Sequence, residues 1–420
     1  MHFFHYRNGE LYCEEISVLK IAQEVKTPFY LYSYKTLLRH YLAFDTAFQG
    51  IPHLICFAMK ANSNLAILRI FIREGAGLDV VSGGELYRAL KAGADPQKIV
   101  YAGVGKSKEE IRYALEAGIL MFNVESGQEL EAIDELAGQM GIKAPIALRV
   151  NPDVDPQTHP YISTGLKKNK FGIDISKALD HYRLAKKAKN LQILGIHSHI
   201  GSQITETGPF VEAVKRLAYL LDELKREDIV VQYLDLGGGL GITYNDEEPP
   251  HPQKLAEALT PHMAKMNCTV IFEPGRVIVG NAGVLITQVL YTKSTTEKNF
   301  VIVDGGMNDL IRPSLYGSYQ AIQHVMLKDK QATTHTVDVV GPICESGDFL
   351  ARDRPLPVCS AGDLLAVMSA GAYGFSMASN YNSRPKVAEV LVKDGQYYVI
   401  RQRESYEDLI RGEAIPAFLR

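Results

Sequence analysis

Residues 78–129 read LDVVSGGELYRALKAGADPQKIVYAGVGKSKEEIRYALEAGILMFNVESGQE. Three short apolar runs, near 78–82, 99–103 and 121–125, have the length and composition of buried strands. A serine follows or closes on each, with a glutamate three residues on: Ser82 and Glu85, Ser107 and Glu110, Ser126 and Glu129. At that spacing the serine hydroxyl accepts from the third helical N–H while the glutamate reaches back to the serine's own N–H, so each pair predicts a reciprocally capped helix start. Gly75, Gly93 and Gly118 fall where such helices should stop, because glycine ends a helix in the left-handed conformation at little cost. Strand, cap, helix, glycine, strand is the grammar of units laid around a parallel sheet.

The grammar extends outward in both directions. Further strands are expected near 29–33, 54–60, 146–150, 193–200, 231–236 and 269–273, separated by amphipathic stretches. About eight units over residues 26–276 favour a closed (β/α)8 TIM-type barrel over an open doubly wound sheet. After Arg276 the pattern changes: runs at 284–292, 300–304, 336–340, 363–368, 387–393 and 397–401 are separated by turns with little amphipathic helix between them. Residues 277–420 are therefore expected to form a C-terminal β domain, a sandwich or a β-barrel. Residues 1–25 contain a strand-like start and are expected to pair with that domain. The longest irregular stretch, Asp153 to Lys170, is rich in proline, glycine and lysine, and a loop of that length in a compact barrel is expected near the site.

Bulk properties exclude several classes of function. A chain of 420 residues accommodates a barrel and a smaller partner domain, and 46% hydrophobic with 22% charged residues is the balance of a globular protein. Net charge is −3 and no basic block is interleaved with aromatics, so nucleic acid and anionic membrane are not expected partners; a small molecule is. No targeting segment and no bilayer-length apolar run is visible, so a cytoplasmic protein is expected. Five cysteines spread from Cys13 to Cys359, without a C-x-x-C pair, read as reduced thiols rather than a disulfide framework or a zinc site. Cys56 and Cys268 sit in apolar runs, as inert buried thiols do. Cys344 does not.

Reactive residues of an α/β barrel come from the C-terminal ends of its strands, where the loops converge on one mouth. Lys60 closes the run Leu54-Ile55-Cys56-Phe57-Ala58-Met59. A partly dehydrated lysine there would be a nucleophile toward an aldehyde; the plain alternative is a lysine reaching into solvent. In His197-Ser198-His199-Ile200-Gly201-Ser202-Gln203 both histidines share a face. They could join a metal site, although no obvious further ligands accompany them; they could be hydrogen-bonded within the barrel, which suits His197; or His199 could stack on a planar cofactor. Gly237-Gly238-Gly239 follows Asp235 and Leu236, and successive glycine N–H groups can surround a phosphate. Glu273-Pro274-Gly275-Arg276 ends the last barrel strand, where a carboxylate could keep a pyridine nitrogen protonated while Gly275 and Arg276 complete an anion site; the plain alternative is a surface ion pair. Together these are the parts of a pyridoxal 5'-phosphate site.

The chain resembles the diaminopimelate decarboxylase family, fold-type III pyridoxal-phosphate enzymes of the alanine-racemase-like class. The resemblance runs from Phe57-Ala58-Met59-Lys60-Ala61-Asn62 to Asn380-Tyr381-Asn382-Ser383-Arg384-Pro385. It implies that Lys60 carries the cofactor as a Schiff base, that His199 stacks on the ring, and that Ser202, Gly238, Gly239, Gly275 and Arg276 bind cofactor with Glu273 at the pyridine nitrogen. Arg312-Pro313-Ser314-Leu315-Tyr316, Cys344-Glu345-Ser346-Gly347-Asp348 and Gly371-Ala372-Tyr373-Gly374 resemble the family's substrate segments. The resemblance also implies a head-to-tail homodimer in which Cys344, Glu345 and Tyr373 reach the partner's barrel, with Tyr373 touching cofactor as well as substrate.

The implied substrate, meso-2,6-diaminopimelate, carries a second carboxylate and a second ammonium at its far end. A selective site needs a cation and an anion there together, and Arg276, Arg312 and Glu345 supply both, with Tyr316 beside them. Decarboxylation to L-lysine and carbon dioxide, the last step of lysine biosynthesis, would follow, with Cys344 placed to protonate Cα. Gly341, Pro342 and Gly347 around Cys344 suggest a shaped loop. The nearest rival is a decarboxylase of ornithine, lysine or arginine, whose relatives resemble Cys-Asp where this chain has Cys344-Glu345. A racemase would place an arginine where Glu273 stands. A noncatalytic cofactor carrier would need no β domain and no Cys344, and a metal-dependent barrel hydrolase stands further off.

Overall fold

The computed structural model of the chain describes residues 2–155, 170–329 and 331–420. It divides into two compact units, Leu38–Ile278 and, discontinuously, Met1–Leu37 with Val279–Arg420. The expected loop from Asp153 to Lys170 lies almost entirely outside the described residues.

The chain starts in the discontinuous unit. β1 (Phe4–Arg7), β2 (Glu10–Cys13) and β3 (Ile16–Ser17) form a small antiparallel sheet. A helix over Val18–Val25 follows, started by Ser17, whose hydroxyl accepts from the Lys20 N–H. β4 (Phe29–Ser33) is buried along its whole length.

The Leu38–Ile278 unit is the barrel. Its strands are β5 (His53–Ala58), β6 (Gly77–Val80), β7 (Ile99–Tyr101), β8 (Met121–Val124), β9 (Ala144–Asn151), a two-residue β10 (Ile173–Asp174) beside β9, β11 (Leu191–His197), β12 (Tyr233–Asp235) and β13 (Thr269–Phe272). Leaving out β10, eight parallel strands run in sequence order, and β13 closes on β5 with Val270 opposite His53. This is the expected (β/α)8 topology. Alternation along each strand separates two interior layers. Met121, Ala147 and Ile271 belong to an apolar cluster with Cys56, Val100 and Leu194, while Asn123, Arg149 and Glu273, each two residues further on, are polar.

The capping signals are answered with one difference. Ser82, Ser107 and Ser126 each accept from the N–H of the glutamate three residues on. Only Glu110 returns the bond to its own serine N–H. Glu85 and Glu129 reach one residue further back, to Val81 N–H and Glu125 N–H. In each case an N–H left over at a helix start is satisfied by a carboxylate. Gly118 ends its helix in the left-handed conformation at φ 66°. The helix Gly127–Met140 buries Leu130, Ile133, Leu136 and Ala137, one stripe at helical spacing, and each large apolar side chain buried this way contributes about 1.5–3 kcal/mol.

The second unit continues with β14 (Gly283–Ser294), β15 (Asn299–Val303), β16 (Ile322–His324), β17 (Thr334–Val340), β18 (Phe349–Pro357), β19 (Leu364–Val367), β20 (Ala388–Lys393) and β21 (Gln396–Arg401). The main path is β18-β17-β15-β14-β4-β20-β21, with β19 also on β14 and β16 on β19. β14 pairs with β4 and β19 over its first half and with β15 over its second, and the register shifts between Val289 and Tyr291 where it passes from one set to the other.

Two expectations are corrected here. The run at 29–33 is a strand but not a barrel strand: β4 lies between β14 and β20, antiparallel to one and parallel to the other. The segment expected at 1–25 to join the β domain therefore extends to Leu37, and the barrel unit begins at Leu38 rather than 26 and ends at Ile278 rather than 276. Periodicity identifies a strand but not the sheet that receives it. Phe4, Leu11, Cys13, Val18 and Ile21 share one core with Phe29, Leu31, Val284, Ile286 and Val390, which is why the N-terminal residues belong with this unit.

Candidate active site

At the C-terminal mouth of the barrel the strands end in a ring of polar side chains: Asp79 from β6, Asn123 from β8, Arg149 from β9, His197 from β11, Asp235 from β12 and Glu273 just past β13. All are buried. Burial of this many polar groups is tolerated only where they pair with one another or with a ligand.

Lys60 does not end a strand, as its sequence position suggested. β5 stops at Ala58, and Met59–Ala61 form a single 3₁₀ turn. The Lys60 ammonium donates to Asp79 Oδ2 at 2.5 Å, so the lysine is held against a fully buried carboxyl. Burial pushes the pKa of Asp79 up to about 7, with the negative charge of Glu273 adding to the shift and Lys60 opposing it.

His197 and His199 part company. His197 is the last residue of β11, fully buried, with Nε2 3.5 Å from Glu273 Oε2. His199 lies two residues beyond the strand, and its Nδ1 accepts from the Gly238 N–H at 3.1 Å. Burial lowers both histidines, that of His199 well below the usual imidazole range, where Arg149 and Lys60 lower it further. His199 is thus a neutral flat ring at pH 7. His197, Asp235 and Glu273 bring one ligand atom each within 4.8 Å of the others, a metal-like trio that the sequence reading did not see. Asp235 is already committed, however: Oδ1 accepts from Gly237 N–H at 2.9 Å and Oδ2 lies 3.3 Å from Asn123 Nδ2. Burial, then the charge of Glu273, raises Asp235 well above the carboxylate range, so the negative charge of this trio rests on Glu273. Burial alone would raise Glu273 too, but the hydrogen-bonding neighbour His197 and the charge of Lys60 outweigh it and keep Glu273 ionised.

The glycine run turns its first two N–H groups toward side chains, Gly237 toward Asp235 and Gly238 toward His199, and not outward as a plain phosphate cradle would. Its shape still demands glycine. A Cβ on Gly238 would lie 2.1 Å from the Glu273 carbonyl oxygen, and one on Gly239, at φ +123°, 2.5 Å from that of Gly201. Arg276 is buried and its guanidinium donates to Ser202 Oγ at 3.0 Å and to Tyr244 Oη at 2.6 Å. Gly275 packs against Ala58 and Ala61, on either side of the Lys60 turn.

The second unit holds the remaining candidates. Arg312 opens a short helix over Arg312–Tyr316 and is buried, its guanidinium 5.4 Å from the Tyr316 ring and 6.0 Å from that of Tyr373. Tyr373 is held at φ 55°, a conformation uncommon for a residue with a side chain. Cys344 and Glu345 are exposed. Their loop is shaped from below by Asp348, a residue without an assigned role in the sequence reading: its two oxygens accept from the N–H groups of Met307 and Ile343 at 2.6 and 2.7 Å. The Cys344 N–H donates to Asn382 Oδ1 at 2.8 Å.

Asp79, Asn123, Arg149 and Asp235 were missed as site residues. The signal was present: each is a single polar residue inside an otherwise apolar strand run, and the alternation that buries its neighbours points it at the barrel axis.

The donor set fits pyridoxal phosphate. It offers an amine at Lys60, a neutral flat ring at His199, an ionised carboxylate at Glu273, and a glycine turn beside a hydroxyl and a guanidinium for a phosphate. An α/β barrel with these groups at its mouth defines a pyridoxal-phosphate-dependent enzyme. The family model described as pyridoxal-dependent decarboxylase, pyridoxal binding domain, matches residues 34–280. The diaminopimelate decarboxylase of Vibrio cholerae is 51% identical over 417 residues, 99% of each chain. Crystal structures of diaminopimelate decarboxylases in complex with L-lysine align with a TM-score of 0.90 at 46% identity for Helicobacter pylori, covering 94% of this chain and 98% of that one, and 0.94 at 39% for M. jannaschii, covering 99% of each. The chain belongs to the diaminopimelate decarboxylase family, and pyridoxal phosphate is its cofactor. The racemase, carrier and hydrolase readings fall with that assignment.

Proposed function

We propose that the chain decarboxylates meso-2,6-diaminopimelate to L-lysine and carbon dioxide, the last step of lysine biosynthesis. The observation that carries this reading is the convergence of Lys60, His199 and Glu273 on one buried polar ring. Bound pyridoxal phosphate supplies an electron-accepting pyridinium ring. Lys60 is the amine that holds the cofactor, and Asp79 fixes its position. His199, neutral through burial, would stack on the face of the cofactor ring. Glu273 is the carboxylate at the pyridine nitrogen. Gly238, Gly239, Gly275, Ser202 and Arg276 bind the phosphate end, and in the homodimer Tyr373 reaches the barrel of a second copy.

Arg276, Arg312 and Glu345, with Tyr316 and Tyr373, recognise the distal carboxylate and ammonium of the substrate. As carbon dioxide departs, the bonding pair of the broken C–C bond stays with Cα, and the Cys344 thiol gives Cα its proton. Cys344 and Glu345 are exposed on a single chain, which fits a head-to-tail homodimer that brings them to the barrel mouth of a second copy. Five free cysteines suit a reducing compartment, and no described helix is long and apolar enough to cross a membrane. On this reading the enzyme works in the cytoplasm.

The test is carbon dioxide release compared across meso-diaminopimelate, L-lysine, L-ornithine and L-arginine. Turnover confined to the first is expected. A preference for L-ornithine would overturn the substrate and favour the sister decarboxylases.

A further inference from the structure

The buried acid Asp235 has no part in the chemistry described so far, yet it touches both the glycine turn and the side chain that spans to Glu273. It is the last residue of β12 and has no exposed surface. Oδ1 accepts from the Gly237 N–H at 2.9 Å, at the turn where the backbone enters φ +64°. The next N–H in that turn, from Gly238, is the one that holds His199. On the other side, Asn123 Nδ2 stands 3.3 Å from Asp235 Oδ2 and 3.3 Å from Glu273 Oε1, spanning the two carboxyl groups.

We propose that Asp235 is a positioning residue, tying the glycine turn and His199 on one side to the ring-side carboxylate of Glu273 on the other. The inference rests on the proposed place of Glu273 at the pyridine nitrogen. Two carboxylates this close in a dry interior do not both ionise. Asp235 keeps the proton, because burial and the charge of Glu273 both raise it, and Glu273 keeps the charge. A protonated Asp235 keeps Oδ1 as the acceptor for Gly237 and Oδ2 beside Asn123 Nδ2, while its O–H is shared with the Glu273 carboxylate. It therefore aligns the carboxylate without competing for the positive charge that the carboxylate must hold. An asparagine offers the same acceptor and a donor in the same place. A chain that needed a second negative charge here would not tolerate that replacement.

The experiment uses the holoenzyme reconstituted with cofactor labelled with ¹⁵N at the pyridine nitrogen, comparing Asp235→Asn, Asp235→Ala and Glu273→Gln. The readouts are the ¹⁵N chemical shift, which reports ring protonation directly, and the cofactor dissociation constant. Glu273→Gln should move the resonance to that of the unprotonated ring; an unmoved resonance would remove Glu273 from the nitrogen and leave Asp235 nothing to position. Given that, Asp235→Ala should move the resonance in the same direction and weaken cofactor binding about 10- to 100-fold, the range typical of lost outer-shell partners. Asp235→Asn should keep the wild-type resonance and bind within about 3-fold of wild type, the margin left by a near-isosteric donor–acceptor swap. Wild-type shift and affinity in Asp235→Ala, or an Asp235→Asn as damaged as the alanine variant, would overturn the proposal. If Asp235→Ala does not fold, Asp235→Ser, too short to reach both neighbours, carries the same expected and overturning outcomes.

Discussion

At the barrel mouth, Asp79, His197, Asp235 and Glu273 are at most 4% exposed; Lys60 holds Asp79, the Gly237 N–H holds Asp235, and His197 and Glu273 face each other. The loop from Gly341 to Asp348 is built the other way: a buried Asp348 shapes it from beneath, while Cys344 and Glu345 face outward. The first region is preorganised within one chain, and its charges are set by burial. The second has its backbone fixed but its reactive groups solvated. Holding a cofactor needs the first kind of construction. Reaching a substrate in another copy, the role proposed for Cys344 and Glu345, would need the second.

Removal of Lys60 should break the first region most severely. Lys60→Ala is expected to abolish the absorbance of the lysine-bound cofactor and to lower kcat by about 10⁴-fold or more, as loss of a covalent participant does. Full retention of that band would mean another amine holds the cofactor. Cys344→Ala should separate the regions: cofactor absorbance stays at the wild-type value, while turnover falls about 10²- to 10⁴-fold, the usual worth of a positioned proton donor. Equal loss of cofactor and turnover would show that the two regions are not independent.

A smaller effect tests whether burial sets charge in the second unit as it does in the first. Burial raises Asp309 to a pKa of about 7, as it does Asp79. The folded state therefore holds this proton more tightly than the unfolded chain, whose aspartate titrates near 4. The resulting stabilisation is complete below about pH 4 and is lost as pH rises toward 7. Across that window Asp309→Asn should flatten the fall in unfolding free energy, by an amount on the order of a few kcal/mol. An unchanged pH slope in the variant would place the titration elsewhere.

Much of this was legible in the sequence, and the losses have physical causes. The strands from β5 to β13, apart from two-residue β10, were readable because buried parallel strands are continuous apolar runs, and the helices because serine and glutamate punctuate their starts. β18 was not readable. Arg352, Asp353, Arg354, Pro355 and Pro357 look like loop, and they are tolerated because the strand lies at the edge of its sheet, where charge and proline discourage further pairing. Lys60, His199 and Glu273 stood out as unusual residues at strand ends. Asp79, Asn123 and Asp235 were marked only by being polar within apolar runs, and the contacts that make them a site join strands far apart in sequence.

The position of β4 carries a consequence for how the molecule is made. Its two neighbours are β14, whose first residue is Gly283, and β20, which ends at Lys393. When β4 leaves the ribosome neither exists, and at 5–20 residues per second the second arrives only after about 20–70 s. During that interval the whole barrel unit is synthesised and is free to fold, while five buried-type residues, Phe29 to Ser33, wait without a sheet. Nascent chains halted before Ala388 should therefore present β4 with one open edge. The late closure of that sheet is where chaperone dependence and aggregation of this protein are expected to concentrate.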